Sequence, residues 1–226
     1  MARVKILADS TCDLTPALLR QYDITLTPLV VIKDGQQFHD GVDITPADIF
    51  AHVDAGGKLC STAAVSEYEY TQMFARFTPD YDTVIQITIG SGFSACYQNA
   101  CLAAQAFENV IVIDSENLST GQGLLVIAAA RLAEQGLTGE EIAAQVRALV
   151  PKVEASFLVE RLEGRDDSRL ELAFITHPAA QPTVVQAAKD AAAKYGAFGE
   201  VIETNAGCTV SCHCGPHTLG ILFIRK

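Results

Sequence analysis

The sequence of 226 residues predicts an α/β protein, with a parallel sheet flanked by helices and a smaller α/β lobe after it. Two short apolar runs, 84–89 and 110–113, each end in polar residues and lead into a helical segment. Strand, polar loop and helix in this order are typical of a parallel sheet covered by helices. Beyond Ser156 the pattern changes, and we therefore expect an N-terminal lobe over 1–155 and a shorter C-terminal lobe over 156–226.

Cap signals place the helices of the N-terminal lobe. Threonine followed by proline opens a helix at Thr15 and again at Thr45, because the hydroxyl accepts a free N–H and proline suits the first turn. Ser66 and Thr138 are expected to cap two more helices. The predicted elements of this lobe are strands at 4–8, 24–32, 84–89 and 110–113, and helices at about 15–22, 45–56, 66–77, 95–107, 121–135 and 138–151.

The C-terminal lobe has shorter and more scattered signals. Residues 181–195 are rich in alanine and predict a helix, and the apolar tail 219–224 predicts a final strand. The remaining predicted elements are strands at 157–160, 173–176 and 200–203, with a charged connection at 161–169. We expect the segment around His213 to be a polar loop at the end of a strand.

The net charge and the composition exclude several classes of binding partner. A net charge of −11 argues against binding to nucleic acids and against stable docking on anionic membranes, since both need clustered Lys and Arg. No apolar stretch approaches the roughly 20 residues of a membrane span. The N-terminus shows no export signal, so a soluble, cytoplasmic protein is expected, with its seven cysteines reduced.

Two groups of residues contain ligand types for a metal or a cofactor, but their spacing does not match a known binding motif. Cysteine and histidine at 208, 212, 213 and 214 are zinc-ligand types. In an extended segment, however, His213 would point away from both neighbouring thiols, and no second Cys-x-x-Cys pair is present. Gly121-Gln122-Gly123 lacks the third glycine of a dinucleotide loop, and no Walker lysine is found. We expect no metal and no cofactor.

Polar loops at predicted strand ends indicate a small-molecule site. Ligands of parallel α/β sheets sit beyond the carboxyl ends of the strands, where such loops gather. Four such loops are at 9–11, 91–94, 114–115 and 213–216, and a fifth, at 61–62, precedes a helix. Any one of them could simply cap a helix or make a turn, whereas the five together favour a binding site. The candidate ligand-binding residues are Ser10, Thr62, Ser91, Gly92, Ser94, Ser115 and His213.

Ser94 stands where a helix begins, and the exposed N–H groups and the helix dipole there favour an anion. A serine hydrolase that uses Ser94, His213 and either Asp9 or Asp114 is the alternative function. The segment 90–94 does not match the Gly-x-Ser-x-Gly elbow of such enzymes, although a triad is identified by its geometry and not by its spacing.

Taken together, these loops resemble those of the DegV family. Asp9-Ser10-Thr11 is similar to the DST opening of that family, and residues 91–98 are similar to its Ser-Gly-Leu-Ser-Gly-Thr-Tyr-Gln loop. The further matches, in order along the chain, are Thr62 with Ser66, Asp114-Ser115 with Gly121 and Gly123, and Gly207 with His213-Cys214-Gly215-Pro216.

The resemblance implies a two-lobed protein that holds a long-chain fatty acid between its lobes. It also implies that Thr62, Ser94 and His213 hold the carboxylate. A separate kinase subunit would phosphorylate the bound acid, so the chain itself would be a lipid-binding carrier and not an enzyme.

This chain departs from the family pattern in three places. Ala63-Ala64-Val65 stands where the family has Ser, a polar residue and Pro, and Ala95-Cys96 replaces Gly-Thr. Several dozen family residues are also missing between Glu160 and Ala173. The second lobe is therefore expected to be truncated. Apolar surface uncovered in this way could drive formation of a homodimer.

Overall fold

The computed structural model describes residues 2–157, 170–195 and 198–225. The strands are β1 (Val4–Asp9), β2 (Thr25–Thr27), β3 (Val30–Lys33), β4 (Gln36–His39), β5 (Ser61–Ala63), β6 (Thr83–Thr88), β7 (Val110–Asp114), β8 (Val153–Phe157), β9 (Leu170–His177), β10 (Phe198–Asn205) and β11 (Gly220–Ile224). The helices are α1 (Pro16–Gln21), α2 (Pro46–Asp54), α3 (Glu67–Phe77), α4 (Cys96–Ala104), α5 (Ser119–Glu134), α6 (Gly139–Leu149), α7 (Pro182–Tyr195) and α8 (Cys208–Cys214).

The first sheet is parallel and has the strand order β2-β1-β6-β7, which confirms the predicted α/β class. Successive residues of β1 point to opposite faces, as the period of a strand requires. Ile6 and Ala8 pack against α5 and α6, whereas Leu7 packs with Tyr70 and Phe74 of α3 on the other face. Helices therefore cover both faces of this sheet.

The second sheet has the order β10-β9-β11-β8 and mixes parallel and antiparallel pairs. One face, including Ile175 and Ile221, packs against α7. The other face turns Phe174 and Leu222 toward α5, so α5 lies between the two sheets. The first strand of this sheet, β8, straddles residue 155, and the lobe boundary at that residue stays a prediction.

A small antiparallel sheet of order β4-β3-β5 stands beside the first one. Asp34 and Gly35 join β3 to β4 with positive φ at both residues, as a type I′ hairpin turn requires. The prediction of a single strand over 24–32 is wrong, because Pro28 lacks an N–H and separates β2 in the first sheet from β3 in the small one.

Three further outcomes concern the C-terminal half. The predicted loop around His213 is wrong, since residues 208–214 form helix α8, whose first N–H groups are bound by a carboxylate distant in sequence. Residues 158–160 of one predicted strand and the connection 161–169 lie outside the described residues. In the described part of the chain, no helix combines the length and the apolar character that membrane crossing demands.

Two buried carboxyl groups give the fold a dependence on pH. Burial raises the pKa of Asp9 to about 7, although Tyr70 and the Ile89 N–H donate hydrogen bonds to this group. Burial also raises the pKa of Asp13 to about 7. Unfolded aspartates titrate near pH 3.9, so between the two values the folded chain retains protons that the unfolded chain releases.

We therefore expect the free energy of unfolding to fall as the pH rises from about 4 to about 7, by up to a few kcal/mol, and to level off above the folded pKa. Urea titrations measure this free energy. Unfolding is followed by far-UV circular dichroism, because the chain has no tryptophan whose fluorescence could report it. Asp9→Asn cannot titrate and should flatten the slope. A free energy that stays constant or rises over this range would contradict the assignment of these two groups.

Candidate functional site

A cavity of about 540 Å³ opens where the first sheet, the small sheet and α8 meet. This volume falls within the range of small-molecule sites, which are mostly apolar with a few polar groups. The cavity is lined by Leu29, Thr62, Ala63, Ala64, Ile89, Phe93, Ser94, Ala95, Leu118, Thr209, Val210, His213 and Cys214.

Thr62 and His213 meet at this cavity although 151 positions separate them in the sequence. Thr62 lies on β5, where its register partner on β3 is Val31, and His213 lies in the last turn of α8. The Thr62 Oγ1 atom is 2.8 Å from His213 Nε2, a hydrogen bond whose donor depends on the tautomer of the ring. The His213 side chain is exposed, so the ring is open to solvent at the cavity.

Ser94 lines the same cavity just before α4 begins. Its Oγ accepts a hydrogen bond from the Cys96 N–H at 3.3 Å and donates to Cys96 Sγ at 3.2 Å. Burial raises the pKa of the Cys96 thiol to about 11, so the sulfur stays protonated and is only a weak acceptor. The Ser94 hydroxyl can therefore turn its hydrogen toward a stronger acceptor in the cavity.

The other four candidates do not line the cavity. Ser10 is buried, donates to Asp40 and accepts from the Leu29 N–H. Ser115 closes a local turn through Asn117. Ser91 and Gly92 are exposed in the loop before Phe93, and the Ser91 N–H donates to Asp114. The structure thus brings together three of the predicted side chains and gives the other four neighbouring or structural positions.

Most of the apolar lining was not predicted from the sequence. Val210 and His213 are three positions apart on α8, and a helical assignment would have placed them on one face. Phe93 lies at the cavity with 61% of its surface exposed, a position that no periodic pattern indicates. Leu118 just precedes α5 and reaches the site only through the tertiary fold.

Gly123, part of the Gly-Gln-Gly segment, has a packing role. A Cβ atom at this position would stand 2.6 Å from the carbonyl oxygen of Cys12. Helix α5 can therefore pack this closely against the backbone at Cys12 only with glycine at position 123. Gln122 beside it is buried and bonded to Thr11 and to the carbonyl of Ile87. This segment of α5 is therefore occupied by contacts within the protein.

The chemistry of the site can be bounded from its contacts. Within residues 2–157, 170–195 and 198–225, no three His, Cys, Asp or Glu side chains form a group that could hold a metal ion. Burial raises the pKa of the Cys212 thiol to about 12, which disfavours the thiolate that a metal needs. The cavity thus offers three hydroxyl groups, one thiol and one imidazole beside apolar walls. The Thr209 hydroxyl is already engaged, since it donates to Asp40.

The candidate triad is not assembled in these contacts. His213 Nε2 bonds to Thr62, and the Ser94 hydroxyl bonds to Cys96. The carboxylate of Asp9 accepts from Tyr70, Gln86 and the Ile89 N–H, whereas Asp114 accepts from two backbone N–H groups.

Comparison with known sequences identifies relatives. The family model described as "Uncharacterised protein, DegV family" matches residues 3–164. A DegV domain-containing protein of Clostridium acetobutylicum is 34% identical over 165 residues, which cover 72% of this chain and 59% of that protein. The chain thus spans about three fifths of the length of the curated relatives that it matches.

Solved structures share the fold. A DegV family protein from Thermus thermophilus, described by its fatty acid binding, matches with a TM-score of 0.89 at 22% identity, over 99% of this chain and 100% of that one. DegV from Bacillus subtilis, described as a fatty acid binding protein, matches with a TM-score of 0.88 at 19% identity over 100% of both chains. From the family match over residues 3–164 and this common fold, we conclude that the chain belongs to the DegV family.

Proposed function

We propose that this protein binds one long-chain fatty acid and performs no chemistry on it alone. The carboxylate is held by Thr62, Ser94 and His213, and the acyl chain lies along the apolar walls of the cavity. The observation that carries the proposal is the convergence of these three side chains on one largely apolar cavity. The fatty acid binding described for two solved relatives supports it.

The acyl chain and the carboxylate of the proposed ligand contribute unequally to its binding free energy. Burial of about 14 methylene groups at ~0.8 kcal/mol each gives a gross gain of ~11 kcal/mol. Hydrogen bonds to the charged head group contribute about 1.5–3 kcal/mol each before desolvation, and the cost of association reduces the total. The tail therefore supplies most of the affinity, and the three polar side chains fix which end of the acid reaches the mouth.

The head group is held by hydrogen bonds and not by an ion pair with a fixed cation. Neither lysine nor arginine is among the described residues that line the cavity, and the chain carries a net charge of −11. Hydroxyl and imidazole groups orient a carboxylate without neutralising it permanently. Such a site favours release or transfer of the acid.

The proposal extends to a partner. His213 and Cys214 are exposed at the cavity, so a head group beside them would face solvent. An acid presented in this way is accessible to a separate kinase subunit, which would phosphorylate the carboxylate while the tail stays buried. Formation of an acyl phosphate from ATP only when both proteins are present would test this step.

Removal of either head-group donor should weaken binding. We expect Ser94→Ala and His213→Ala each to raise the dissociation constant for palmitate about tenfold, because each variant loses one charge-assisted hydrogen bond. Isothermal titration calorimetry measures the constants. Ser91→Ala, in the same loop but outside the cavity, is the matched control and should bind like the wild type. Unchanged affinity in both site variants would reject the head-group assignment.

The hydrolase alternative predicts a different result. Since Ser94 and His213 are not bonded to each other, we expect a panel of p-nitrophenyl acyl esters to be hydrolysed no faster with the protein than with the Ser94→Ala variant. Release of p-nitrophenolate is followed by absorbance. Turnover that disappears in Ser94→Ala would favour a serine hydrolase over a carrier.

A further inference from the structure

Asp40 is a buried carboxylate that grips the beginning of α8. Only 4% of its surface is exposed. Its Oδ1 accepts the Cys208 N–H at 2.9 Å, and its Oδ2 accepts both the Thr209 N–H at 3.1 Å and the Thr209 hydroxyl at 2.7 Å. Ser10 donates to the same Oδ2 at 3.2 Å. Four hydrogen bonds thus converge on Asp40. Asp40 itself does not line the cavity, whereas its partner Thr209 does.

Asp13 ties the same helix start to α5. Its Oδ1 accepts the Gly207 N–H at 2.7 Å, and its Oδ2 accepts the Ser119 hydroxyl at 2.6 Å. A Cβ atom on Gly207 would stand 3.0 Å from Asp13 Oδ1 and 3.4 Å from Asp40 Oδ1, so the two carboxylates leave little room for a side chain. Ser119 is held with a φ of 54°, a conformation that non-glycine residues seldom adopt.

The small sheet therefore holds α8 at both ends. Asp40 directly follows β4 and binds the first N–H groups of the helix. Thr62 on β5 binds His213 in the last turn. Strand β3 pairs with both β4 and β5, so these two attachments share one rigid support. Because α8 has only seven residues, a shift at its beginning reaches His213 within about one and a half turns.

We propose that Asp40, supported by Ser10 and Asp13, is a positioning residue that sets the place of His213 at the head-group site. It does so through the helix and without touching the ligand. If the role of Asp40 were purely structural, its substitution would lower the stability of the fold and leave the His213 ring and the affinity unchanged. The positioning role makes the environment of the His213 ring and the affinity for the acid change together.

The test compares Asp40→Asn with Ile142→Val in the full chain. The amide turns one acceptor into a donor that faces N–H or O–H groups, which breaks the attachment. Ile142 is a fully buried residue of α6 that does not line the cavity, so its variant loosens the core without touching α8. The readouts are the NMR resonance of the His213 Cε1–H, assigned with His213→Gln, and the calorimetric dissociation constant for palmitate.

We expect Asp40→Asn to move or broaden the His213 resonance and to weaken palmitate binding about tenfold, with Ile142→Val unchanged in both respects. An unmoved resonance in Asp40→Asn would overturn the inference, and so would an unchanged affinity when the wild type binds palmitate. If Asp40→Asn does not fold, Ser10→Ala is the deciding variant, because it removes one hydrogen-bond donor to Asp40. The His213 resonance should then move from its wild-type position, and an unmoved resonance would overturn the inference.

The measurement of palmitate affinity rests on the proposed function, whereas the His213 resonance is recorded without ligand. Wild-type protein that binds no palmitate would refute the proposed function and leave the positioning of His213 to be decided by NMR.

Discussion

The burial of α5 between two sheets is the constraint on which the site depends. Leu125 and Ile127 belong to a core that includes Ile85 from the first sheet and Phe174 and Leu222 from the second. Residues 119–127, 129 and 130 of α5 are buried, and the apolar run that begins at Leu124 needs cover on more than one side of the helix. Because both sheets pack on this one helix, the second lobe is fixed where α8 can reach the carboxyl ends of the first sheet.

Because of that arrangement, different elements of the fold supply the three polar side chains of the site. The first sheet and α4 supply Ser94, the small sheet supplies Thr62, and α8 supplies His213. Each comes from a different layer, so the site exists only in the assembled fold. The bond between Thr62 and His213, and the carboxylates of Asp13 and Asp40 at the other end of α8, link these layers by directional hydrogen bonds in addition to apolar packing.

The sequence predicted those features that have local causes. The caps at Thr15, Thr45, Ser66 and Thr138 each accept a backbone N–H of the first turn, as expected. Helix α8 was missed because its start is bound by Asp40, 168 positions earlier, and no residue within the segment signals it. The contact of Ser10 with Asp40 was not predicted, because a hydroxyl that supports a buried carboxylate and one that meets a ligand have the same sequence pattern.

Native mass spectrometry of the protein purified from cells tests the central claim most directly. If the cavity at Thr62, Ser94 and His213 holds a fatty acid, the spectrum should show protein carrying the added mass of one long-chain acid. That adduct should be depleted in His213→Ala. A wild-type spectrum with only the bare chain, after palmitate has also been supplied, would contradict the account.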